Sequence, residues 1–207
     1  MSALEPLSLY ITLTFLGNDA RKNFYHWTLH ATSSNPPSGT KFHATDNGDQ
    51  RNLYRYEHVE INDPADSNDV VVCLKLGLVN SIQKIHESLK KVPLGSARYL
   101  PRREDRWTCR VFLKEAFKQL DQDHVLALPP GMDVDEIEAA CYRHADYYYA
   151  LKKRTKKIGP VIVNDADWLR WDEPNSVDGS SRMSYTQPTD ALPTTGPAGT
   201  ERQSDST

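Results

Sequence analysis

The sequence predicts an α+β domain, an antiparallel sheet packed against helices on one side, followed by a disordered tail. Three observations carry this. Alternating segments rich in β-branched and aromatic residues fill the first third of the chain, and helical apolar spacing takes over after Gly77. Beyond Trp171 large aliphatic residues almost vanish among Ser, Thr, Pro and Gly, too few to offset the entropy of ordering. The expected division is one domain over residues 1–171 and a disordered tail over 172–207.

Ser8 to Leu16 alternates and stops at the turn cluster Gly17-Asn18-Asp19, as a strand does. In the next strand, Phe24 to Ala31, side chains point alternately to opposite faces. Phe24, His26, Thr28 and His30 share one face, and Tyr25, Trp27 and Leu29 the other. Pro36 and Pro37 cannot supply ladder donors, so the chain leaves the sheet through Ser33–Gly39 and returns at Lys41, a long-looped hairpin. Gln50 to Ile61 and the more apolar Val70 to Leu76 complete the strands.

Leu78, Ile82, Ile85 and Leu89 recur at helical spacing, with Lys90, Lys91 and Pro93 as stop signals, predicting a helix of about four turns. A second helix is expected from Asp105 as N-cap, apolar at Val111, Phe112, Ala116, Phe117 and Leu120. A third follows Pro129-Pro130-Gly131, with Asp133, Asp135, Glu136 and Glu138 at its positive dipole end.

The chain carries 25 basic and 28 acidic residues, well mixed, with a net charge of -3, which gives no field to gather nucleic acid. No stretch approaches the ~20 apolar residues of a membrane span, and the first six residues do not read as a secretory signal. Cys73, Cys109 and Cys141 form no Cys-x-x-Cys pair and are odd in number, as suits a reducing, cytoplasmic setting. The run Lys152 to Lys157 has the composition of a nuclear import signal or of a solvated helix C-terminus. Cys141 and His144 are too few for a zinc site, and no metal set or cofactor motif is present.

Cys109 falls in the first turn of the second helix, where the dipole favours a thiolate. His26 is the candidate base, and His43, on the neighbouring strand, the group that would orient it. The bland readings are an inert helix cysteine and satisfied strand histidines.

His26-Trp27-Thr28-Leu29-His30 followed by Gly39-Thr40-Lys41-Phe42-His43 resembles the histidine box of the circularly permuted NlpC/P60 papain-like group, typified by lecithin retinol acyltransferase-like proteins. Thr108-Cys109-Arg110-Val111-Phe112 keeps the cysteine and phenylalanine of that group's cysteine motif, and the loop between the histidines is longer. The resemblance implies a permuted papain-like arrangement and acyl transfer through an acyl-enzyme, with Cys109 as nucleophile, His26 as base and His43 as orienting group. It implies a small-molecule, lipid or peptide acyl substrate. The chain is also similar to filamentous-fungal proteins with a histidine-tryptophan strand and a later cysteine-arginine helix, a likeness that implies no activity.

Two functions therefore stand side by side. One is a thiol hydrolase or acyltransferase. The other is a catalytically silent binding or scaffold domain of the same fold, meeting a protein partner through the last helix or the tail.

Overall fold

Strand pairing starts where alternation is strongest. In a computed structural model, which describes residues 3–46, 54–95, 100–101, 104–128, 133–156, 159–164 and 168–169, β1 (Ser8–Asn18) and β2 (Asn23–Thr32) pair antiparallel, Leu13 opposite Trp27 and Thr14 opposite His26. Next come β3 (Gly39–Asp46), β4 (Tyr54–Ile61), β5 (Val70–Leu78) and the short β6 (Val161–Val163), in the order β4-β3-β2-β1-β5-β6. The sheet is antiparallel as predicted, except that β6 runs parallel to β5. These residues belong to a compact unit, Met1–Asp172, and the expected tail lies outside the described residues.

Three helices cover one face: α1 (Ile82–Leu89), α2 (Cys109–Gln122) and α3 (Val134–Thr155). The odd-numbered residues of β2 (Tyr25, Trp27, Leu29, Ala31) join Leu13, Phe42, Phe112, Phe117 and Ile137 in one buried cluster between sheet and helices. This burial is the main stabilising term, since each such side chain contributes about 1.5–3 kcal/mol on leaving water.

Two helix starts differ from the sequence expectation. The first helix has eight residues, not four turns, because β5 continues to Leu78, with Gly77 opposite Leu9, before Ser81 caps the helix by accepting from the Lys84 N–H at 3.2 Å. The second begins at Cys109, not after Asp105: Trp107 is drawn into the core and Thr108 takes the cap, its hydroxyl accepting from the Val111 N–H at 3.3 Å. The third starts where its acidic cluster was expected, with Asp133 as the cap. Asp133 and Glu136 form a reciprocal capping box, and Lys152, Lys153 and Arg154 sit at the negative dipole end.

The opposite face is polar, and the connection from β4 to β5 runs across it. β4 and β5 are parallel and four inter-strand spacings apart, about 19 Å. Ile61 lies level with Gly39, whereas Val70 lies level with Thr14 at the other end of the sheet, so the diagonal is roughly 28 Å. Residues 62–69, including a 3-10 turn at Pro64–Asp66, reach about that far and little farther. Phe15 donates its N–H to Asp69 O at 2.8 Å, and Lys152 Nζ donates to Asn68 O at 2.6 Å and Val70 O at 3.1 Å, pinning the far end.

Gly39, opposite Thr32 at the hairpin mouth, has no room for a side chain: a Cβ there would lie 2.1 Å from Ala31 O. Gly39→Ala is expected to cost about 1–3 kcal/mol or more in a urea melt. Gly77→Ala, whose Cβ would meet only the Leu126 side chain at 3.3 Å, should cost less.

Candidate functional site

β2 decides which groups can meet. His26, Thr28 and His30 project from the polar face, while Tyr25, Trp27 and Leu29 face the helices. From β3, Lys41 and His43 reach the same polar face as His26, Lys41 being opposite His30. The structure thus brings His26 and His43 together: Nε2 of His26 lies 2.9 Å from Nδ1 of His43, with the rings edge to face. Glu57, opposite His43 on β4, places Oε2 3.4 Å from His43 Nε2, within ion-pair range but not aligned for a hydrogen bond, and itself pairs with Arg55 at 2.5 Å. The carboxylate favours the His43 proton on Nε2, which leaves Nδ1 as acceptor and makes His26 Nε2 the donor.

Cys109 is not part of this group. It is the first residue of α2, packed against the apolar cluster on the helix side. Its sulfur meets the Trp27 backbone N–H, one residue from His26, where β2 is no longer paired with β3, the ladder ending at Leu29 opposite Phe42. Among the described residues no hydrogen bond joins Cys109 to either ring. Burial pushes its thiol up, although the N–H groups of Trp27, Arg110 and Cys109 itself act the other way. Cys73 is pushed up to about 12 and Cys141 well above the ordinary thiol value, both by burial. All three cysteines are free thiols.

The polar face and the crossover enclose a cleft of about 450 Å³. Its floor is Thr12, Thr14, Thr28, His26, His30 and Lys41, and residues 60–64 with Asp66 and Ser67 wall it. On the β1–β5 side a small second cluster closes the face, with Tyr10, Cys73 and Val70 packed under Leu4. Two floor residues carry buried polar atoms without a hydrogen-bond partner, Thr12 Oγ1 and His30 Nδ1. His30 Nε2 lies 3.1 Å from Pro37 O, and a carbonyl only accepts, so Nε2 holds the proton and Nδ1 is a bare lone pair. Burial lowers the pKa of His30, opposed by the Pro37 carbonyl and by the carboxylates of Asp63 and Glu60. The ring is neutral at pH 7.

Thr12, His30, Lys41 and Asp63 did not stand out as site residues in the sequence. The shared face of His26, Thr28 and His30 was legible there. The passage of residues 62–69 over that face was not.

Among the described residues no group of three or more His, Cys, Asp or Glu side chains is placed to hold a metal ion, and no helix is long and apolar enough to cross a membrane. The chain belongs to a family of unknown function, DUF6914, whose model matches residues 7–159 and so takes in every strand and loop that builds the cleft. No curated protein and no solved structure matches it.

Burial, first, and the neighbouring Lys41 and His26 lower His43 from 6.5 to about 4, with Glu57 opposing. A proton then binds the unfolded chain before the folded one, so stability is highest above pH 6.5, falls as pH drops toward about 4, and gains no further slope from His43 below that. His26 and His30 shift in the same direction. Urea melts across this range should show the decline, and His43→Asn should flatten it.

Proposed function

We propose that this protein is a binding domain that holds a small polar ligand in the cleft between the sheet's polar face and the crossover, its cysteines being packing residues. The observation that carries the reading is the pair of buried, unpartnered atoms in the floor, Thr12 Oγ1 and His30 Nδ1. Leaving such a group unsatisfied costs about 1–3 kcal/mol, a cost that a bound ligand removes. The volume falls within the usual range for small-ligand pockets. Of the imidazole pair His26 lines the cleft, its ring fixed on His43 behind it and both held neutral by burial.

Of the likeness to the permuted papain-like group, the reading keeps only the order histidine, histidine, cysteine along the chain. Acyl transfer would need the Cys109 sulfur in hydrogen bond with an imidazole, whereas His26 Nε2 is taken by His43, and it would need a thiolate stabilised more than burial opposes it.

Two measurements test the proposal. In two-dimensional NMR of the full chain with a library of small polar compounds, perturbed amides should cluster at Thr12, Thr28, His30 and Asp63; hits confined to α3, or none, would overturn it. In iodoacetamide labelling at pH 7, Cys109 should react no faster than an ordinary thiol and be indifferent to His26→Ala. A fast Cys109 that slows tenfold or more in His26→Ala would restore the acyl-transfer reading.

A further inference from the structure

The cleft's chemistry narrows what can occupy it, and the narrowing rests on the binding reading above. Its floor and walls are rich in acceptors. His30 offers only the lone pair of Nδ1, since its proton is committed to Pro37. Asp63 and Asp66 on the crossover add carboxylates, against one ammonium among the described lining residues, Lys41, while the Glu60 carboxylate at the end of β4 accepts from Thr40 Oγ1 at 2.7 Å. Asp63 keeps an oxygen for a ligand, because the hydrogen bond it makes, from the Ala65 N–H at 2.7 Å, engages Oδ1.

Lys41 stands opposite His30 on β3 and its charge acts on His26 and His43, where the carboxylates of Asp46 and Glu57 oppose it, whereas the crossover carboxylate Asp63 acts on His30. The end holding the unpartnered His30 nitrogen is therefore the end that Asp63 serves. Apart from the imidazoles no aromatic ring among the described residues lines the cleft, so they offer no platform for stacking a flat apolar ligand.

We propose that this cleft takes a donor-rich cation, a primary ammonium or guanidinium group, seated at the His30 end with one N–H on His30 Nδ1 and its charge on the Asp63 carboxylate. Such a group supplies donors and no acceptor, which is what this lining lacks. Thr12 Oγ1, which can accept as well as donate, completes the seat. A phosphate or carboxylate ligand would meet the wrong charge at this end, and a neutral polyol would leave the carboxylates without a counter-charge. The same chemistry is carried by a free amine and by a Lys or Arg side chain of another protein.

Agmatine, the blocked tripeptide Gly-Arg-Gly, citrate and sorbitol, each titrated separately into the full chain and followed by amide and imidazole NMR shifts and by Tm, test this. Agmatine or the tripeptide should give saturable shifts at Thr12, His30 and Asp63 and raise Tm. Agmatine alone assigns the site to a free amine, and the tripeptide binding as well or better assigns it to a protein side chain. Asp63→Asn should weaken binding at least tenfold. Because Asp63 also caps the 3-10 turn, Thr12→Val, which leaves that turn intact, should weaken it several-fold. Saturable shifts at the same residues with citrate or sorbitol and not with the cations would overturn the cation assignment while leaving the cleft reading standing. No shift at the floor with any of the four overturns the cation assignment, and the wider library then decides the cleft.

Discussion

The two-residue period of β2 is the constraint on which the rest depends. Successive side chains must take opposite faces, so the strand that buries Tyr25, Trp27, Leu29 and Ala31 under the helices cannot also offer His26 or His30 to anything those helices carry. The sheet is a partition. On one side lies the apolar cluster with Cys109 at the head of α2, and on the other lie the imidazoles, the threonines and Lys41. The site follows from which side a residue falls on, more than from how near it lies in sequence.

The partition also explains why a polar interior persists on the second face. Thr12, Thr28 and His30 are as buried as core residues, yet they are covered by chain that brings carboxylates and backbone rather than apolar side chains. Residues around Tyr10 and Cys73 do find an apolar cover in Leu4, so the polar character is confined to the part beneath the crossover. There, burial holds His26, His30 and His43 in their neutral forms, and neutral imidazole is the form that presents a lone pair.

Much of the fold was legible from residue pattern. The alternation of Ser8–Leu16 and Phe24–Ala31, the Pro36-Pro37 exit and the acidic opening turn of the third helix each have a local physical cause, and local causes are what a sequence displays. Where tertiary contacts decide, the pattern failed. Leu78 has helical spacing to Ile82 but is held in β5, and Asp105 is a good cap but Trp107 is needed in the core. β6 is the β-branched run Val161-Ile162-Val163, which is too short to show a period and was not among the predicted strands. Of the site, the juxtaposition of His26 with His43 was legible because hairpin neighbours share a face. The crossover was not legible, because its path depends on strand order, which no single segment encodes.

That path has little slack. Nine Cα steps join Ile61 to Val70 across a diagonal that nearly exhausts them, and both ends are fastened. Shortening the span by even one residue would have to be met by unzipping the last rungs of β4 or the first of β5, whereas lengthening it would let the roof bow outward over the same floor. The height of the chamber is thus written in the count of residues between two strands, and such a count can vary between chains without any change to the lining below.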